Sequence, residues 1–257
     1  MRHSGNPILS ERTFLVSRPQ GTETMTLDGV VHRTGIMLMV VISFSALSWI
    51  VTWDEITKMQ AGHPVGGLTI GFLVLGGIAA LICALILSFV RPRHPELLIF
   101  AYSAFEGLSL GALSAMAEMW LPGIALQALL LTMATFCIML FIYRFRIIKV
   151  TERMRIAVTA AMGAIFLIYM VSFLFWILPI PFYIPFIHSA GPIGIGFSLL
   201  VIGLAAFTLL LDFDFIERGA KIGAPKHLEW YAAFGLIVSL VWLYVEFIRL
   251  LAKLRGD

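Results

Sequence analysis

The residues in this chain best suited to chemistry are carboxylates set in apolar sequence. Leu211-Asp212-Phe213-Asp214-Phe215-Ile216-Glu217 ends one long apolar segment, Val245-Glu246-Phe247 lies inside another, and Glu106 sits mid-segment between Ala101 and Gly111. Ionisable groups are expensive in hydrocarbon, so where they occur they mark an ion path, a proton site or a buried pair. Two carboxylates in a low-dielectric site share a proton. Such a pair responds to pH: protonated it closes, ionised it repels itself or recruits a cation. Clustered carboxylate oxygens suit hard cations such as Ca2+.

Asp212 and Glu246 are the first candidates for that pair and for contact with Ca2+. Asp214 stands about 200° round a helix from Asp212, so the two cannot face one site. Glu217, beside Arg218, suits a solvated helix end; Asp212, after the run Thr208 to Leu211, does not. Glu246 has Trp242 four residues before it and Arg249 three after. An ion pair with Arg249 at the membrane edge is the plain alternative to a partner on the preceding segment. Glu106 reads either as a proton or cation site or as a neutral acid hydrogen-bonded to a neighbouring helix. Arg91 ends an earlier segment on the side of Asp212. It reads either as a bidentate partner for that carboxylate or as an ordinary basic anchor. His188 reads as an interfacial or solvated histidine.

Gly107-Leu108-Ser109-Leu110-Gly111 is a literal G-x-S-x-G. The hydrolase version of that motif needs a strained strand-to-helix elbow. Here it lies within a continuous apolar segment, where small residues let helices approach closely. The chain is therefore not expected to be an enzyme, and it carries no visible cofactor motif.

The elements that must position these groups follow from composition. Of 257 residues 60% are hydrophobic and 13% charged, against about 25% charged in an ordinary soluble domain. Seven apolar segments, at 35–53, 66–90, 97–118, 124–143, 156–178, 193–215 and 229–253, can each cover the ~20 residues a bilayer crossing needs. In lipid these must be helices, because an open sheet leaves backbone groups unpaired. The expectation is an all-α, seven-transmembrane-helix bundle over 35–257, preceded by a flexible polar arm over 1–34. The run Leu178 to Pro185, with three prolines, cannot continue a helix and reads as an aromatic outside loop. Cys83 and Cys137 fall inside apolar runs and read as small buried hydrophobes.

Basic residues set the orientation. With the N-terminus inside, cytoplasmic segments hold fourteen of the eighteen Lys and Arg, and the outside loops hold Lys58. That asymmetry places the N-terminus in the cytoplasm and, after seven crossings, the C-terminus outside. Arg249, Lys253 and Arg255 run against it and leave open a last segment that re-enters without crossing. The net charge of +3 is spread as short clusters between apolar runs, which excludes a nucleic-acid stripe.

At these residues the chain resembles the Bax inhibitor-1 family, also called the transmembrane Bax inhibitor motif family. Tyr102 to Gly111 is similar to the family's small-residue G-x-x-L stretch. Asp212 to Ile216 stands where members carry an aspartate followed three or four residues later by isoleucine. Leu243-Tyr-Val-Glu-Phe-Ile248 resembles the L-Y-L-D-F-I of the final helix, and Val90-Arg91 stands where bacterial members carry a basic residue. The resemblance covers roughly residues 35 to 255; the arm and Gly219 to Gly235 resemble a bacterial Bax inhibitor-1-like branch. It implies a seven-helix bundle in a bacterial inner membrane with a di-carboxylate pH sensor and a calcium leak. Asp212 and Glu246 would form the dyad, and Arg91 an accessory latch. The family's second acid is usually Asp, whereas here it is Glu246. In a simple hairpin turning near Gly223 to Pro225, the two acids differ in depth by roughly 16 Å at 1.5 Å per residue. They meet only if residues near 219 to 235 include a separate surface segment, for which His227 to Tyr231 is the candidate. Otherwise Glu229 or Glu217 is the better partner for Asp214.

The functional expectation is a pH-sensitive cation leak, calcium foremost, whose partners are the bilayer and the ion. The alternative is a non-transporting regulator that binds another membrane protein, such as a quality-control protease; the long arm suits it. The orientation is checked by reporter fusions: alkaline phosphatase joined after Asp257 is expected to be active and a fluorescent protein there dark. The reverse pattern would show that the last segment does not cross.

Overall fold

The computed structural model describes residues 23–62, 67–177 and 189–256. The arm up to residue 22, the proline-rich loop 178–185 and His188 lie outside them. Among the described residues seven helices are long and apolar enough to cross a membrane. They are α1 (Leu27–Gln60), α2 (Leu68–Phe89), α3 (Glu96–Trp120), α4 (Ile124–Arg144), α5 (Glu152–Ile177), α6 (Pro192–Lys221) and α7 (Leu228–Arg255).

Helix α1 starts eight residues before the expected span, so residues 27–34 are helical rather than arm. Thr26 is the reason: its Oγ1 accepts from Gly29 N at 3.0 Å as an N-cap, and Asp28 adds favourable charge to the first turn. Helix α2 contains a π-helical turn, Gly71–Gly76. Such turns leave the regular ladder locally unsettled, and here Ser109 Oγ of α3 donates to Leu73 O at 3.1 Å.

Helix α7 forms the centre. Its buried positions run from Leu228 to Lys253 and lie on all sides, as a helix enclosed by its neighbours requires. Helix α6 is the next most enclosed, with a continuous buried run from Thr208 to Phe213. Helices α6 and α7 are joined by residues 222–227, and Gly223, at φ +65°, makes the turn that L side chains rarely adopt. Helix α7 is unbroken, so no separate surface segment intervenes before it.

The G-x-S-x-G stretch is a packing device, as its place in a helix implies. Gly107 and Gly111 of α3 sit against the backbone of α1: a Cβ at Gly111 would come 2.1 Å from Ser45 O, and one at Gly107 2.5 Å from Val41 O. Ser48 Oγ closes the same seam by donating to Leu108 O at 2.7 Å. A valine at Gly111 must therefore push α1 and α3 apart. Gly111→Val is expected to lower the melting temperature in detergent by an amount matching about 1–3 kcal/mol of overpacking. Gly203→Val, where a Cβ meets nothing within 4 Å, is expected to leave it unchanged.

Candidate ion site: buried carboxylates at three levels of the bundle

Measured by helical rise from the helix ends on the side of the α6–α7 turn, the acids fall at different depths. Asp214 lies about 10 Å in, Asp212 about 14 Å, Glu106 about 15 Å and Glu246 about 27 Å. The hydrocarbon core spans roughly 30 Å. All four lie within apolar spans, and Glu246 is farthest from the side of the α6–α7 turn.

Asp212 is fully buried, and its Oδ2 accepts from Ser239 Oγ of α7 at 2.6 Å. That bond sets the register of the α6–α7 hairpin: residue 212 stands level with residue 239. Glu246 is seven residues further along α7, about 10 Å beyond Ser239. The expected dyad is therefore not brought together. The cause is the one the spacing anticipated, a short turn joined directly to an unbroken helix.

Glu246 has its own set of partners. Its Oε1 accepts from Arg249 NH1 at 2.6 Å, from Tyr169 OH at 3.0 Å and from Trp242 Nε1 at 3.3 Å. Arg249 also donates to Tyr169 OH and lies over that ring, 4.7 Å from its centre. The other oxygen, Oε2, is buried with no hydrogen-bond partner among the described residues. One turn further out, the buried Lys253 donates from Nζ to Gly194 O at 3.0 Å and Ser198 Oγ at 2.9 Å. The three basic residues that ran against the topology rule are thus tied down: Arg255 too donates to Pro122 O at 3.0 Å and to Gln127 Oε1 at 2.5 Å.

Asp214 faces a different helix from Asp212, as their angular separation requires. Its Oδ2 pairs with Arg155 of α5 at 2.8 Å and with Arg218 one turn on at 2.9 Å. Neither Glu229 nor Glu217 is its partner. Glu217 instead binds Lys221 and Tyr143. Glu106 is partly buried one turn above Tyr102, whose ring meets Phe234 of α7 edge-on at 4.8 Å. Arg91 closes α2 with φ 50°, a left-handed position that usually takes glycine, and its Nε donates to Ser88 O at 3.1 Å. Tyr231 OH of α7 donates to the adjoining Pro92 O at 2.7 Å, which brings Arg91 beside the first third of α7.

The reading from sequence missed the role of Glu229. It is fully buried in the first turn of α7 and forms an ion pair with Arg33 of α1. Its Oε1 accepts from Thr26 N at 2.8 Å and Thr26 Oγ1 at 3.1 Å. Gly29 leaves the room: a Cβ there would stand 2.3 Å from the carboxylate. Arg33 lies over Trp230, 5.0 Å from the ring centre. Below this knot residues 23–26 run antiparallel to the α6–α7 turn, with Met25 N donating to Ala224 O at 2.7 Å and Lys226 N to Glu23 O at 3.1 Å. An exposed ion pair between Lys226 and Glu23 holds the Glu23 carboxyl below its usual range. The available signal was the N-cap and glycine at 26 and 29 preceding Arg33, with an acid in the first turn of the last helix.

Among the described residues no group of three His, Cys, Asp or Glu could hold a metal ion. Calcium takes six to eight oxygens, so a calcium ion at Asp212 or Glu246 would be cargo keeping much of its water. The arrangement defines a polytopic α-helical membrane protein whose central helices carry buried, individually partnered carboxylates. Residues 6–256 match the family described as Bax inhibitor 1 like, and the chain belongs to that family. No match was found among curated proteins or among solved structures.

Removing one member of a buried ion pair leaves the other uncompensated, at a cost of about 3–5 kcal/mol. Glu229→Ala is expected to destabilise the bundle on that scale. Restoring charge balance with Arg33→Leu is expected to recover part of the loss, read as a coupling above about 1 kcal/mol in a double-mutant cycle.

Proposed function

We propose that this chain is a pH-responsive leak for cations, calcium foremost, across a bacterial inner membrane, with its N-terminus in the cytoplasm. The observation that carries the reading is that Asp212 and Glu246, on the two most enclosed helices, are both fully buried at membrane depth. Apolar side chains would fill those positions at no electrostatic cost, so two acids held there imply a task that needs charge.

The acids act in series rather than as a pair. Glu246, paired with Arg249, is the outer stage. Asp212, hydrogen-bonded to Ser239, is the inner stage, with Glu106 at a similar depth on α3. Arg91 is proposed to steady Asp212 from the cytoplasmic end of α2. Each stage passes a partly hydrated cation when its acid is ionised and exposed to water, and blocks it when the acid is protonated or paired. Acidification adds protons to the carboxylates, so flux should fall as pH drops. No step is catalytic, and no resident cofactor is required.

The test is Ca2+ entry into proteoliposomes at about pH 6 and about pH 8, on either side of neutral. Wild-type protein is expected to pass more Ca2+ at the higher pH. Asp212→Asn and Glu246→Gln are each expected to flatten that dependence, and Arg91→Gln to shift it. Absence of flux from the purified wild-type protein at either pH would replace the leak with the regulator that acts through another membrane protein.

A further inference from the structure

Helix α5 is attached to the bundle unlike the other six. Of its described side chains only Arg155, Val158 and Ile165 are buried, and Gly163 faces open space. Apolar packing supplies little of its attachment; polar contacts supply the rest. At the cytoplasmic end Arg155 joins Asp214 of α6. Midway, Met162 Sδ lies 3.0 Å from Thr208 Oγ1 of α6. Toward the outer end Tyr169 joins Glu246 and Arg249 of α7. The contacts line one stripe of α5, at 155, 162 and 169, one residue every seven.

The two terminal contacts share a chemistry. Each contains an arginine held against a carboxylate inside the span: Arg155 of α5 reaches Asp214 of α6, and the Tyr169 hydroxyl of α5 bonds the Arg249–Glu246 pair of α7. At the cytoplasmic end Asp214 keeps Arg218 when Arg155 leaves, and Arg155 keeps Glu152, 3.5 Å away. At the outer end Glu246 keeps Trp242 when Tyr169 leaves, and its buried Oε2 already lacks a donor among the described residues. Neither separation strands a charge, so α5 can move away at a cost far below that of breaking an isolated buried pair. A buried carboxylate oxygen without a donor among the described residues, on an acid whose other oxygen closes the seam through exchangeable contacts, is a place for a cation to bind once the seam opens.

We propose that α5 is the gate of the leak, and that the cation path runs along its seam with α6 and α7, closed in this structure by Arg155–Asp214 inside and Tyr169–Arg249–Glu246 outside. The inference rests on the cation-leak reading and adds to it a route and a moving part. It assigns Arg155, Tyr169 and Arg249 a positioning role: they hold α5 shut over the acids.

The experiment fixes α5 in place after folding. In protein with Cys83→Ala and Cys137→Ala, the pair Met162→Cys and Thr208→Cys spans the middle of the seam. The protein is reconstituted in vesicles carrying a calcium dye, oxidised with copper phenanthroline, and then reduced. Oxidation is expected to lower Ca2+ flux about tenfold, as a loss of open population on that scale would, and reduction to restore it. Either cysteine alone should show neither effect. Arg249→Gln, which unties the outer end, is expected to raise flux severalfold, and the crosslink to abolish the rise. Full crosslinking with unchanged flux would overturn the gate while leaving the leak standing. Failure of the two cysteines to crosslink would overturn the seam itself. A reduced protein that passes no Ca2+, alongside an equally silent wild type, would overturn the leak and the gate with it.

Discussion

A carboxylate in hydrocarbon must bring its hydrogen-bond donors with it, and the arrangement of this bundle follows from that requirement. Asp212 needs a donor at its own depth, and Ser239 supplies it, which fixes how α6 and α7 lie along each other. Glu246 draws three donors onto one oxygen. Glu229 binds both the first turn of α1 and Arg33. Each of these three acids therefore joins two helices, and α7 carries either the acid or a partner in every case. Its central position is as much a matter of charge as of apolar area.

The apolar packing divides the bundle differently. Helices α1 and α3 approach backbone to backbone because Gly107 and Gly111 have no side chains to hold them apart. With no hydrophobic difference between lipid tails and leucine, such close approach is what makes membrane helices adhere. Helix α5 has no comparable surface. The bundle thus pairs a rigid half, built on glycine contacts, with an edge helix that depends on hydrogen bonds and ion pairs.

The seven spans were legible in the sequence because each is an unbroken apolar run, and an apolar run longer than a bilayer is thick has one structural outcome. The start of α1 was not, because Asp28, His32 and Arg33 make the first two turns look like arm; the capping residue Thr26 outweighs them. Among the acids, type was legible and partners on other helices were not. The pattern that singles out Asp212 cannot single out Ser239, which looks like any other small residue of a membrane helix. Pairing depends on the length of the 222–227 turn, and a difference of seven residues moves an acid from one neighbour to another. Arg249 as the partner of Glu246 was legible because both lie on one helix, where spacing alone sets the distance.

The bond between Asp212 and Ser239 also bears on how the protein is made. A ribosome adds Ser239 twenty-seven residues after Asp212. During that interval a fully apolar stretch ends in an acid whose donor does not yet exist. Helix α6 is therefore poorly suited to settle in the bilayer alone, and the short, glycine-cornered turn lets it enter with α7 as one hairpin, the acid already bonded. Glu229, at the start of α7, then finds Arg33, synthesised nearly two hundred residues earlier. Among the described helices α7 is the last in sequence and the one that ties α1 to α6, so the bundle closes only once α7 is in place.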